Sequence, residues 1–167
     1  MVKRYRRGVT LTELIVVMAI LGIVVLLWPK ILMQSMVFFR MNRARLETTR
    51  DARTSMQVTL SKLRQASASS IVLDQKPGQP PYSRISFIVG GSQYLVWQDG
   101  LNLMFSKDGA EQRISENLRS LNFTYPDLTK PDLVAISITM EKKVFADASG
   151  EVKAMRLTSE KVRILNP

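Results

Sequence analysis

The chain has 167 residues and a formal net charge of +10, with neither cysteine nor histidine. Without cysteine there is no disulfide framework, no thiol nucleophile and no thiolate metal site. Without histidine the commonest general base and metal ligand is missing, and the spacing of carboxylates and lysines points to no enzyme.

The charge is uneven. Residues 1–8 hold Lys3, Arg4, Arg6 and Arg7 and no anion. Residues 30–64 hold eight cations against Glu47 and Asp51, and residues 65–167 are close to neutral. The basic character therefore belongs to the N-terminal third. The length allows one modest domain preceded by an N-terminal segment.

After the basic residues 1–8 comes an apolar run. From Leu14 to Trp28 there is no charge, and Val9–Glu13 extends the span to about 20 residues, enough to cross a bilayer as a helix. The preceding cations predict a cytoplasmic N-terminus. A secretory signal peptide is the rival reading. It fits poorly, because no small-x-small cleavage site follows and Pro29-Lys30-Ile31 opens more helix. Glu13 stands near the start of this span. A carboxylate there costs at least a few kcal/mol in hydrocarbon, so it is by default a functional residue in need of a partner.

The order of these parts resembles the class III signal of type IV prepilins and pseudopilins: basic leader, Gly8, then Val9-Thr10-Leu11-Thr12-Glu13-Leu14, then the apolar run. The resemblance implies cleavage by a prepilin peptidase between Gly8 and Val9. It implies N-methylation of Val9 and retention of the apolar segment. Glu13 becomes the fifth mature residue, where the family keeps its glutamate. Val9 stands where phenylalanine is usual, and Thr12 where an aliphatic residue is commoner. Two readings of Glu13 follow: its carboxylate sets subunit register by meeting an α-amine, its own or a neighbour's, or it lies shallow enough to snorkel.

From Lys30 to Lys76 there is no glycine or proline. Leu32, Met36, Phe39, Leu46, Met56, Leu60 and Leu63 recur at helical spacing, which predicts an amphipathic helix ending near Ser67, Ser69 and Ser70. Continued through Pro29, the whole helix would run to about 60 residues and on the order of 90 Å, with a possible kink at the proline. Arg40, Arg43, Arg45, Arg50, Arg53 and Arg64 could meet DNA, lipid headgroups or acidic neighbours. The plainer reading is a solvated or subunit-facing surface, since only Phe38 and Phe39 supply aromatics for base stacking.

From Ile71 the period changes to two. Ile85, Phe87 and Val89 alternate, then Gly90-Gly91 marks a hairpin into Tyr94–Trp97. Asp99-Gly100 and Lys107-Asp108-Gly109 mark further turns, and Ile114–Leu118 reads as a turn or short helix. Leu121, Phe123 and Tyr125 alternate, then Val134–Met140, and Ala148-Ser149-Gly150 turns the chain towards Met155, Leu157, Val162 and Ile164. Six or so short antiparallel strands with one apolar face need a cover, which the preceding helix can supply. The expected fold is α+β and type IV pilin-like, a long half-transmembrane helix packed on antiparallel sheet. The divisions are leader 1–8, transmembrane and assembly helix 9–29, amphipathic helix 30–70 and β head 71–167.

The run Ile114–Tyr125, the Val/Ile strand after it and the closing Leu157–Asn166 are similar to J-type minor pseudopilins of type II secretion and W-type minor pilins. The cysteine pair that closes many major pilins is absent. Asp127 with Asp132, or Asp147 with Glu151, could bind calcium, but their oxygens are too few and too dispersed, and ordinary loop polarity is the simpler account. Trp97 and Tyr125 are expected in the core.

The resemblance implies a non-enzymatic subunit of a type IV pilus or secretion pseudopilus, a minor one near the tip. Its partners would be other pilin or pseudopilin subunits, the prepilin peptidase/methyltransferase and an inner-membrane assembly platform, with no cofactor. The alternatives are a DNA-uptake pilin and an unprocessed single-span anchor carrying a periplasmic binding domain.

Overall fold

The computed structural model describes residues 9–127, 129, 132–147 and 150–165. The leader with Gly8, the Ala148-Ser149 turn, Lys130-Pro131 in the loop before Asp132, and Asn166 lie outside them. One helix, α1, runs Leu11–Leu63 with Pro29 inside it. The chain divides into two compact units, residues 1–40 and 41–167.

In the first unit every described side chain from Val9 to Gln34 is exposed. That stretch has the length and composition of a membrane span. Among the described residues nothing buries its bulky side chains, so lipid or another protein must cover them.

In the second unit, α1 buries Ala44, Thr48, Ala52, Ser55, Met56, Thr59, Leu60 and Leu63. The spacing of three and four puts them on one face. Most are small or hydroxyl-bearing, which lets the backbone approach the sheet closely. Thr59 donates to the Ser55 carbonyl at 2.8 Å, and the Ser55 hydroxyl donates to Ser115 at 2.9 Å. Polar atoms on the buried face are thus satisfied. The expected stripe is only partly right: Leu46 is exposed, and the upper packing residues are alanine, threonine and serine. The helix also stops at Leu63, short of the serines. Ser67–Ser70 instead caps and forms a separate 3-10 turn over Ala68–Ser70.

Among the described residues the head has eight strands rather than six or so, in two sheets. β1 (Val72–Asp74), β2 (Arg84–Val89), β3 (Ser92–Asp99), β4 (Asn102–Lys107) and β5 (Ala110–Ser115) form an antiparallel meander in that order. Its β2–β3 hairpin turns on Gly90 and Gly91, both at positive φ, as a two-residue primed turn requires. The expected turn at Ile114–Leu118 is tighter than a helix: β5 ends at Ser115, Asn117 takes φ 62°, and β6 starts at Leu118. β6 (Leu118–Thr124), β7 (Leu133–Asp147) and β8 (Gly150–Arg163) form the second antiparallel sheet.

The two sheets are stitched together beside β6. Leu118 donates to the Leu101 carbonyl at 2.8 Å and Phe123 to the Tyr82 carbonyl at 2.9 Å. The buried Gln98 amide accepts from Leu121 N–H at 3.0 Å and donates to the Gly100 and Arg119 carbonyls. A single core results, combining Met56, Leu60 and Leu63 of α1 with Ile85, Phe87, Val96, Phe123, Ile136, Ile138 and Val162. Trp97 is buried, with the Lys76 ammonium 5.0 Å from its ring centre, and Tyr125 packs half-buried against the core. Burial pushes the Tyr125 hydroxyl pKa up.

Candidate functional site at the helix N-terminus

Thr10 precedes the first residue of α1, and Glu13 lies in its first turn. Such an end leaves backbone N–H groups without intrahelical acceptors. Here two of them are satisfied reciprocally. Glu13 N–H donates to the Thr10 hydroxyl oxygen at 3.3 Å, while Thr10 N–H donates back to Glu13 Oε2 at 3.3 Å. The Thr10 hydroxyl also lies 3.4 Å from Oε2, and Leu14 N–H reaches the Thr10 carbonyl at 3.1 Å. This is a capping box, a threonine followed three residues later by glutamate.

The sequence carried the signal in Thr10-x-x-Glu13, which the processing motif overshadowed. The box gives Glu13 a partner beyond the proposed α-amine. It also aligns the carboxylate with the positive end of the helix dipole, which favours a negative group. Both bonds to Glu13 use Oε2. Of the residues expected to act in processing, Val9 and Glu13 lie on the described chain, with Val9 exposed directly before the capping threonine.

Elsewhere several charged groups are paired with one another. Lys142 bonds Glu47 across from the head, and Arg43 reaches the same carboxylate at 3.1 Å. Those two cations hold Glu47 below the usual carboxylate range, Lys142 most. Neighbouring Asp51 is raised instead, by its own burial and then by Glu47. Both residues line an open cleft of about 560 Å³ with Arg50, Arg113, Glu116 and Lys142, where neither sign dominates.

Of the carboxylates weighed as calcium ligands, Asp132 accepts from Arg163 at 2.9 Å and Glu151 from Lys143 at 2.8 Å. Asp127 takes the N–H and hydroxyl of Thr129. The Asp147 side chain lies outside the described residues. Arg45, Arg50 and Arg53 are exposed along α1, and Arg64 is exposed just past its end.

Residues 3–28 match the prokaryotic N-terminal methylation motif. The match supports the type IV pilin and pseudopilin superfamily, whose members are structural subunits. The long apolar helix and antiparallel sheets make a type IV pilin-like α+β architecture. No curated protein matches the chain.

Proposed function

We propose that the chain is a minor pilin or pseudopilin, cut between Gly8 and Val9 by prepilin peptidase and N-methylated on Val9. It is anchored in the inner membrane with its N-terminus cytoplasmic and its head outside. From there it enters a filament with other pilin-like subunits on an assembly platform. The sequence runs Ile114–Tyr125 and Leu157–Asn166 resemble those of J-type pseudopilins of type II secretion and W-type minor pilins, and on that resemblance we place it near the tip. The role is structural, not enzymatic.

The observation that supports this reading is the coincidence of the matched motif with Glu13 at the start of an exposed apolar helix. Cleavage turns the Val9 amide into a charged amine one helical turn from Glu13, and methylation keeps that charge. With Oε2 engaged by Thr10, the second carboxylate oxygen is left to meet an amine. An amine from a staggered neighbour neutralises Glu13 as the helix leaves lipid for a bundle, which couples register to assembly.

The N-terminal mass of the membrane-extracted protein tests it. N-methyl-Val9 is the expected result, and an intact leader from Met1 overturns it in favour of an unprocessed anchor. The exposed arginines of α1 keep a DNA-uptake pilin as the second reading. It requires DNA binding that weakens steeply between low and physiological salt.

A further inference from the structure

β8 is the last strand of its sheet and, at 14 residues, one of the longest in the molecule. Its inner edge is fully paired with β7. Among the described residues no strand pairs with its outer edge. The other edge of the same sheet is closed by the bonds from β6 to Leu101 and Tyr82. Ile164 donates inward to Asp132 and Leu165 outward to the Arg64 carbonyl. In an antiparallel ladder the backbone groups alternate sides. The odd-numbered residues Leu157, Ser159, Lys161 and Arg163 therefore turn their N–H and C=O groups to the open edge. Such a row of unpaired groups is a template for another strand.

The two faces beside that edge are different and both are prepared. On the solvent face Met155 and Leu157 stand side by side at 55% and 62% exposure. On the other face, β8 and α1 enclose a groove of about 510 Å³. Thr158 and Glu160 form one wall, Arg53, Gln57 and Arg64 the other, and Leu60 lies at its base. From Arg53 to its last residue Leu63 the helix rises about 15 Å, the length of about four to five residues of extended chain. A strand laid along β8 would direct alternate side chains into this groove and over Met155 and Leu157.

Charge decides the occupant. Arg53, Arg64, Arg156, Lys161 and Arg163 border the edge against Glu160, and Arg163 is already shared with Asp132. A second copy of the same basic edge is repelled. An acidic strand is drawn in.

We propose that the open edge of β8 and its groove are a docking site for an extended segment of a partner polypeptide. The segment adds as a further strand, with apolar residues over Met155 and Leu157 and carboxylates facing Arg53 and Arg64. Main-chain bonds would give the affinity and the alternating side chains the selectivity. This holds whether or not the chain is a filament subunit.

The test uses the full chain in detergent and a labelled nine-residue peptide of alternating valine and glutamate, read by fluorescence anisotropy. Saturable binding is expected. A peptide with the same residues in two blocks, or with lysine for glutamate, should bind at least tenfold more weakly. Ser159→Pro removes an outward N–H without touching the β7 ladder and should weaken binding at least tenfold. N-methylation of alternate peptide residues should do the same in one phase only, with the protein unaltered. Arg53→Ser with Arg64→Ser should weaken binding and flatten its salt dependence. No binding up to millimolar peptide, or equal binding of the blocked peptide or by Ser159→Pro, overturns the proposal. So does concentration-dependent dimerisation abolished by Ser159→Pro, which would make a second copy the occupant.

Discussion

The two halves of α1 obey opposite packing rules. Before Arg40 the helix carries valine, isoleucine, leucine, methionine and phenylalanine on all sides, and leaves them exposed. After Arg40 it turns one narrow face of alanine, threonine, serine and a few larger residues into a core of its own making. A helix apolar all round is built for a surrounding that its own chain does not supply, whereas a stripe of small residues is built for one close partner. The contrast separates what the chain needs in order to fold from what it needs from lipid and neighbours.

The largest effect falls on the first half and leaves the second untouched. Gly8→Leu should block processing altogether, so that membrane extracts yield only precursor mass, while the head keeps its protease resistance. In the core that the second half packs against, Phe123→Ala empties a fully buried site on β6. It should cost about 3–5 kcal/mol, read as a lower denaturation midpoint of the head. Ala52→Leu sharpens the comparison directly. Ala52 has no exposed surface, and overpacking it should cost about 1–3 kcal/mol. Ala19→Leu, on the exposed half, should leave the same midpoint unchanged.

A smaller effect returns to the helix start. Thr10→Ala removes the hydroxyl that accepts from Glu13 N–H, and should cost about 1 kcal/mol locally. Faster amide exchange at Leu11–Leu14, with the head's exchange unchanged, is the readout. Thr10→Ser should restore protection. Unchanged exchange in Thr10→Ala would show that the box does not hold the helix end.

These differences also explain what could be read from sequence. The span was plain because a bilayer demands an unbroken apolar run. The hairpins at Gly90-Gly91 and Asp99-Gly100 were plain because positive φ selects glycine. The large-residue stripe misplaces the helix face at Leu46 because it passes over Thr48, Ser55 and Thr59: Thr48 and Thr59 return their hydroxyls to carbonyls of their own helix, and Ser55 finds Ser115 only in the fold. The joining of the two sheets is hidden in the sequence because it depends on Gln98, a polar side chain buried between them. Glu13 was visible as a charge out of place, but its bond to Thr10 was masked by a motif that explained the same residues differently.

The smallest effect is electrostatic and belongs to the second half and the head it packs on. Glu47, Glu141 and Glu151 are all held below the ordinary glutamate value of 4.5, chiefly by bonds to Lys142, Lys153 and Lys143 respectively. A carboxylate with a lowered folded pKa stabilises the fold above its unfolded value, and that contribution is lost as pH falls through the folded one. Asp51 has the opposite sign: its raised pKa favours folding on protonation, against the other three. The head's denaturation midpoint should therefore hold steady at neutral pH and decline as the pH drops below about 4.5. Lys142→Met should shallow that decline by releasing Glu47, and Asp51→Asn should raise the midpoint slightly at neutral pH. Because the Glu47–Lys142 pair is only partly buried, added salt should shrink the Lys142→Met difference, whereas the Asp51→Asn difference, set first by burial, should persist. A decline of equal steepness in Lys142→Met would mean that the Glu47 pair contributes nothing to the packing of α1 on the head.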